Sequence, residues 1–235
     1  MIRPGGRATP VWRPARLGLQ VTAASPRSTI AAVEVEGDGE VDDGYQSPFV
    51  EINERVDAGE ALLELARQLD RLPDYRYAWR WAFAALHAAV QAAIVVSIAG
   101  SAKIGAMTAK DQAAWMTAYD EGRWDDLPDE RTDYFISLYK RMKKQFAYAP
   151  GDDTDRDVAL LHRLRNHVGH IRPESLLTHP LHFVEMTASC LPVIRFLLIE
   201  RDDMWWLYPE ERQLVETELG RAEAAVVRLR TAYSD

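Results

Sequence analysis

Ala82-Phe-Ala-Ala-Leu-His-Ala-Ala-Val-Gln-Ala-Ala-Ile-Val-Val-Ser-Ile-Ala99 decides the fold, because this uncharged run is either a membrane span or a helix buried in protein. Arg76, Arg80 and Lys103 flank it as charges flank a span. His87 and Gln91 interrupt it, however, and much of the rest is alanine, whereas a span ordinarily takes ~20 strongly apolar residues. It reads as a helix buried in protein, running from about Asp74 and closed by Gly100.

The flanking sequence is helical too. Leu62, Leu65, Leu69 and Leu72 recur at three and four, one apolar stripe that stops at Pro73. Thr108 opens a third helix as its cap, with Asp111 placed to complete a capping box, and the helix continues to about Tyr119. A fourth runs from about Arg131 to Tyr148, with Phe135, Leu138, Tyr139, Met142 and Phe146 on one face. Pro150 and Gly151 break the chain before a fifth, from Thr154 or Asp155 to about Ile171. The sixth spans Pro180 to Glu200 with Pro192 as its expected kink. The last begins at Pro209, well placed for a helix start, and ends near Ala232. Here Val215, Leu219, Ala222, Val226 and Leu229 form a narrow seam suited to antiparallel packing or to a partner helix. No period-2 run of β-branched residues appears, so the expected class is all-α.

Residues 1–44 are different in kind. Rich in Pro, Gly and Arg, then acidic from Glu34 to Asp43, they lack any apolar periodicity and are expected to be a disordered tail before a helical domain over 45–235. No apolar core follows the early basic residues, so a secretory leader is not expected. The single cysteine, Cys190, cannot form an internal disulfide and lies among apolar residues; a reducing cytoplasm is the expected compartment, and buried core its expected role. Net charge is −8, but residues 1–33 carry five arginines and no acid, which leaves −13 on residues 34–235. So acidic a body excludes broad, sequence-blind nucleic-acid binding, and any RNA contact must come from a local basic patch. The densest such cluster is Lys140, Arg141, Lys143 and Lys144, a solvated face or an RNA-phosphate surface.

Leu161-His-Arg-Leu-Arg-Asn-His-Val-Gly-His170 carries the chemistry. Within two helical turns it offers a fixed cation in Arg165, an amide in Asn166 and a titratable imidazole in His170, a set suited to a phosphodiester. On a helix Asn166 and His170 share a face, while Arg165 sits about 140° from His170 and must reach around. His162, His167, His170, His179 and His182 have spacings a zinc ion can use, but no Cys partner and no His-Glu-x-x-His spelling accompanies them, so neither a metal nor another cofactor is expected. His87, with Gln91 on its face, reads first as a satisfied interior histidine; it lines the cleft if its helix packs beside the motif.

Spelled as Arg, a polar residue, any three residues and His, the motif resembles the signature of the HEPN superfamily (higher eukaryotes and prokaryotes nucleotide-binding). Tyr77-Ala-Trp-Arg-Trp-Ala-Phe-Ala-Ala-Leu-His-Ala-Ala-Val-Gln91 resembles the first long helix of a bacterial HEPN subfamily of plasmid-borne and genomic proteins, mostly uncharacterised. With Ser47-Pro-Phe-Val-Glu-Ile52 before it, the likeness covers roughly 45–200.

The resemblance implies a HEPN-like helical bundle and a homodimer whose two motif helices form a composite cleft. It also implies a metal-independent endoribonuclease, in a toxin–antitoxin or phage-defence setting, with catalytic residues Arg165, Asn166 and His170. Lys140, Arg141, Lys143, Lys144 and His167 are the RNA-binding candidates beside them. A nucleotidyltransferase-like antitoxin is the partner it suggests besides RNA, and no membrane. The other reading, from a different class, is a non-catalytic HEPN-like module for nucleotide or RNA binding or for assembly.

Overall fold

A computed structural model describes residues 53–100, 103–129, 131–169, 178–204, 206 and 208–234. The expected tail over 1–44 lies outside them, as do Ser47–Ile52, His170 and Ile171. All seven long elements of the described residues are helices, and the chain is all-α as the hydropathy pattern predicts. They are α1 (Glu54–Arg71), α2 (Ala78–Ala99), α3 (Ala109–Asp120), α4 (Phe135–Gln145), α5 (Asp152–Gly169), α6 (Pro180–Arg195) and α7 (Pro209–Tyr233).

Helix α2 is the axis. A helix this apolar must be largely covered, and α1, α4, α5 and α6 all pack on it, leaving Arg80, Trp81 and Ala88 exposed. Its alanines 78, 82, 85, 89 and 93 are buried, and such short side chains let neighbouring backbones come close. By length and composition α2 and the Pro180–Glu200 helix are both apolar enough to cross a membrane. Most of the apolar window of each is covered by the other helices of this chain. Helices α1 and α7 pack together, as do α6 and α7, so the seam Val215–Leu219–Ala222–Val226–Leu229 is buried within the chain. Phe183 on α6 anchors this side, its ring edge-on to Trp79 (5.0 Å) and Phe83 (4.4 Å).

Local chemistry sets the ends. Asn53 Oδ1 accepts from the backbone N–H groups of Arg55 and Val56, both at 3.0 Å, which caps α1. The Thr108 hydroxyl accepts from Asp111 N at 3.1 Å and donates to the Asp111 carboxylate at 2.9 Å, so the expected box closes through the hydroxyl. Helix α2 starts at Ala78, later than the expected Asp74. Tyr75 N instead bonds the Arg71 carbonyl, and the chain turns before it can enter a new helix.

Helix α4 also starts later than Arg131. Thr132 bridges to Met107 and Asp133 N donates to the Ala106 carbonyl, so tertiary partners hold the segment extended. The same helix stops at Gln145, before Tyr148, because Ala147 takes a positive φ of 49°. In α6 the chain continues through Pro192 as α-helix, and the departure comes later, as a π-helical turn over Phe196–Glu200. The wider turn points both Leu197 and Leu198 into the core. Gly105 is required by contact: a Cβ there would lie 1.8 Å from the Ile98 carbonyl oxygen.

Candidate functional site

Helix α5 opens on Asp152, Asp153 and Asp155, carboxylates at the end where the helix dipole favours them. It buries Val158 and Leu161 against the core, with Leu164 and Val168 half-buried beside them. That choice of face places His162 and Asn166, one turn apart, at the edge of the α2–α5 contact, and leaves Arg165 exposed next to Asn166.

Across the contact stands His87, only 3% exposed. An imidazole this deep needs a polar partner, since an unmet buried donor or acceptor costs about 1–3 kcal/mol. Its Nε2 lies 3.3 Å from His162 Nδ1. His162 Nε2 in turn lies 3.3 Å from Asn166 Nδ2, and Arg165 Nη1 donates to Asn166 Oδ1 at 3.2 Å. The four side chains form one line from the interior to the surface.

Phe135, the first residue of α4, covers the line. Its ring centroid lies 4.3 Å from that of His87 and 5.2 Å from that of His162, and the two imidazoles are 5.5 Å apart. Burial pushes His87 down to about 3, helped by the positive charge of Arg165 and by His162. Burial, and then Arg165, lowers His162 as well. Both rings are therefore neutral at cellular pH, and Arg165 is the fixed charge of the group. A general base works best with a pKa near the working pH. His162 is displaced away from that value, and its place is between two hydrogen-bond partners.

The structure thus brings Arg165 and Asn166 into contact, while His170 lies outside the described residues. His167 is half-buried. The basic cluster on α4 divides. Arg141 donates to the Gly105 and Met107 carbonyls at 2.7 and 2.8 Å and to Asp133 at 2.7 Å, bracing the loop that precedes α4. Lys143 pairs with Asp155, whose other oxygen accepts from Tyr139 Oη at 2.7 Å. These two cations are engaged within the fold, while Lys140 and Lys144 are exposed. Because Phe135 meets His162 while Lys143 meets Asp155, α4 and α5 run antiparallel. Lys143 is therefore ~12 Å along α4 from the histidine line.

His179 Nδ1 accepts from Leu181 N at 3.2 Å and caps α6, its ring 5.9 Å from that of His182. Among the described residues no three His, Cys, Asp or Glu side chains converge in a way that would hold a metal ion. A cavity of about 650 Å³ opens near the C-terminal end of α2, bordered by Ser97, Lys103, Phe146 and Arg201. It lies about two turns or more beyond His87; Lys103 is 3.7 Å from Glu54, and Arg201 Nη2 is 2.5 Å from Asp203 while its Nη1 is buried with no hydrogen-bond partner among the described residues. The candidate site is placed on α5, where the motif residues Arg165 and Asn166 meet.

No protein-family model matches the chain, and comparisons with curated proteins and with solved structures find no match.

Sequence reasoning did not connect His162 to the motif. Its signal was the four-residue step to Asn166, one helical turn. The condition placed on His87, that α2 pack beside the motif helix, is met.

Proposed function

We propose that this chain is a HEPN-type endoribonuclease, acting without a metal as a homodimer in a toxin–antitoxin or phage-defence setting. One observation carries the reading: Arg165 is exposed, held by a neutral amide, and has no carboxylate partner among the described residues. Its full charge is available to an anion. The family spelling Arg165-Asn166-x3-His170 supplies the reaction class.

In this mechanism His170 takes the proton of a ribose 2′-hydroxyl, and the oxygen attacks the adjacent phosphorus in line. The bond from phosphorus to the 5′-oxygen breaks, and that oxygen collects a proton from an imidazolium, the second His170 of the dimer. Arg165 stabilises the charge building on the phosphorane oxygens, while Asn166 fixes the guanidinium. The products are a 2′,3′-cyclic phosphate and a free 5′-hydroxyl, and DNA resists because it lacks the nucleophile.

The test is cleavage of labelled single-stranded RNA and total transfer RNA in EDTA by wild type, Arg165→Ala and His170→Ala proteins. Cleavage by wild type alone, leaving cyclic-phosphate ends, supports the reading. Equal cleavage by all three, or none by wild type, removes it. The acidic body and the use of Arg141 and Lys143 within the fold favour a second reading, a non-catalytic HEPN-like module for nucleotide or RNA binding or for assembly, with Arg165 as a phosphate ligand.

A further inference from the structure

The polar line behind Arg165 has a determinate direction. Arginine only donates, so the amide oxygen of Asn166 must face it and the amide nitrogen must face His162. That nitrogen also only donates, so His162 Nε2 is the acceptor. A neutral imidazole with Nε2 bare carries its proton on Nδ1, and Nδ1 is the atom that faces His87 Nε2. His87 Nε2 is then the acceptor at the inner end, and the His87 proton sits on Nδ1. Each member has one arrangement compatible with its neighbours, and the arrangement of the outermost, Arg165, depends on all the others.

We infer that His162 and His87 are positioning residues: as neutral Nδ1–H tautomers they lock the amide of Asn166, and through it they hold the Arg165 guanidinium in the one orientation presented to a phosphate. The inference rests on the proposed reading of Arg165 as the phosphate ligand. It adds two residues on two helices that the Arg-Asn-x3-His motif does not include, and it assigns them no proton transfer. Phe135 supports the lock by lying against both imidazoles, which limits the water able to compete for their nitrogens. Misplacing a reacting or charge-stabilising group by an ångström costs on the order of 100-fold in rate.

Two measurements on the full-length protein test this separately from the nuclease reading. Nitrogen-15 spectra of the imidazoles at about pH 7.5 should show Nε2 bare and Nδ1 protonated on both His162 and His87, and His87 should stay neutral at about pH 6, where an unperturbed histidine of pKa ~6.5 is mostly protonated. Relaxation of the Arg165 Nε–H and the Asn166 side-chain NH2 should show both restricted in wild type and released in His162→Leu, with partial recovery in His162→Gln, which keeps an acceptor. A proton on His162 Nε2, or equal Arg165 mobility in wild type and His162→Leu, overturns the inference whether or not the protein cleaves RNA.

If it cleaves, His162→Leu should lose about 10- to 100-fold in kcat with little change in KM, at a Tm matched by His162→Gln. The acidic limb of the pH–rate profile should survive in His162→Gln. Disappearance of that limb would make His162 an acid–base group and overturn the positioning role. Absence of cleavage with the spectra as expected would instead remove the nuclease and leave the lock standing.

Discussion

The α6–α7 side of the molecule and the α2–α5 seam use the same residue type in opposite ways. On the first, Arg195 forks onto Glu223 at 2.9 and 2.6 Å, Arg230 onto Glu185 at 2.8 and 2.6 Å, and Arg221 and Arg228 both reach Asp70 on α1. Every one of these guanidiniums is neutralised by a carboxylate across a helix contact, over a core of Phe183, Leu191, Leu219 and Val226. At the seam, Arg165 meets only an amide, and the groups behind it are imidazoles that burial keeps uncharged. A paired arginine holds helices together, whereas the charge of Arg165 has no carboxylate partner among the described residues.

The widest separation between the two regions should appear in stability. Phe183→Ala removes the ring on which Trp79 and Phe83 meet, and should cost about 3–5 kcal/mol in urea unfolding. A loss under about 1 kcal/mol would mean that this side does not anchor the bundle. Next comes Arg165→Ala, which should lower RNA cleavage roughly 10²- to 10³-fold while changing stability by no more than about 0.5 kcal/mol. A large stability loss would place Arg165 with the structural arginines and erase the contrast.

Acid should then weaken the seam. His87 titrates near 6.5 when unfolded and near 3 when folded, so below about 6.5 the unfolded chain binds the extra proton. Stability is complete above that pH and falls as the pH drops toward 3, by about 2 kcal/mol at pH 5 from this residue alone. His87→Gln, compared by thermal unfolding at pH 7 and 5, should show a flatter slope; parallel slopes would mean that His87 is free to protonate in the fold. The smallest effect belongs to Arg230→Ala, whose pair with Glu185 is substantially exposed and should contribute about 0.2–1 kcal/mol.

Helix identity was legible wherever an apolar period met a cap or a breaker: the α1 stripe ending at Pro73, α2 ending at Gly100, α7 beginning at Pro209. What escaped was decided by contacts distant in sequence. Nothing in Arg131-Thr-Asp-Tyr134 announces that Met107 and the Ala106 carbonyl will hold it extended and delay α4 to Phe135. Arg141 and Lys143 look like their exposed neighbours Lys140 and Lys144 until the loop carbonyls and Asp155 arrive from elsewhere in the chain.

The same holds for the site. Arg165 and Asn166 are adjacent and could be read directly, whereas the 75-residue link from His87 to His162 exists only because α2 buries its polar interruption against α5. His87 was visible as an exception inside an apolar run, the kind of local conflict that functional sites produce. Its partner required the packing.

The single cysteine has a practical consequence. Cys190 on α6 is fully buried, and burial raises its thiol well above the ordinary range, so the thiolate that reacts with alkylating reagents is scarcely formed in the native state. The unfolded chain exposes it. The rate at which a thiol reagent labels the unmodified protein is therefore a clock for the opening of α6, built into the wild-type chain and requiring no engineered probe.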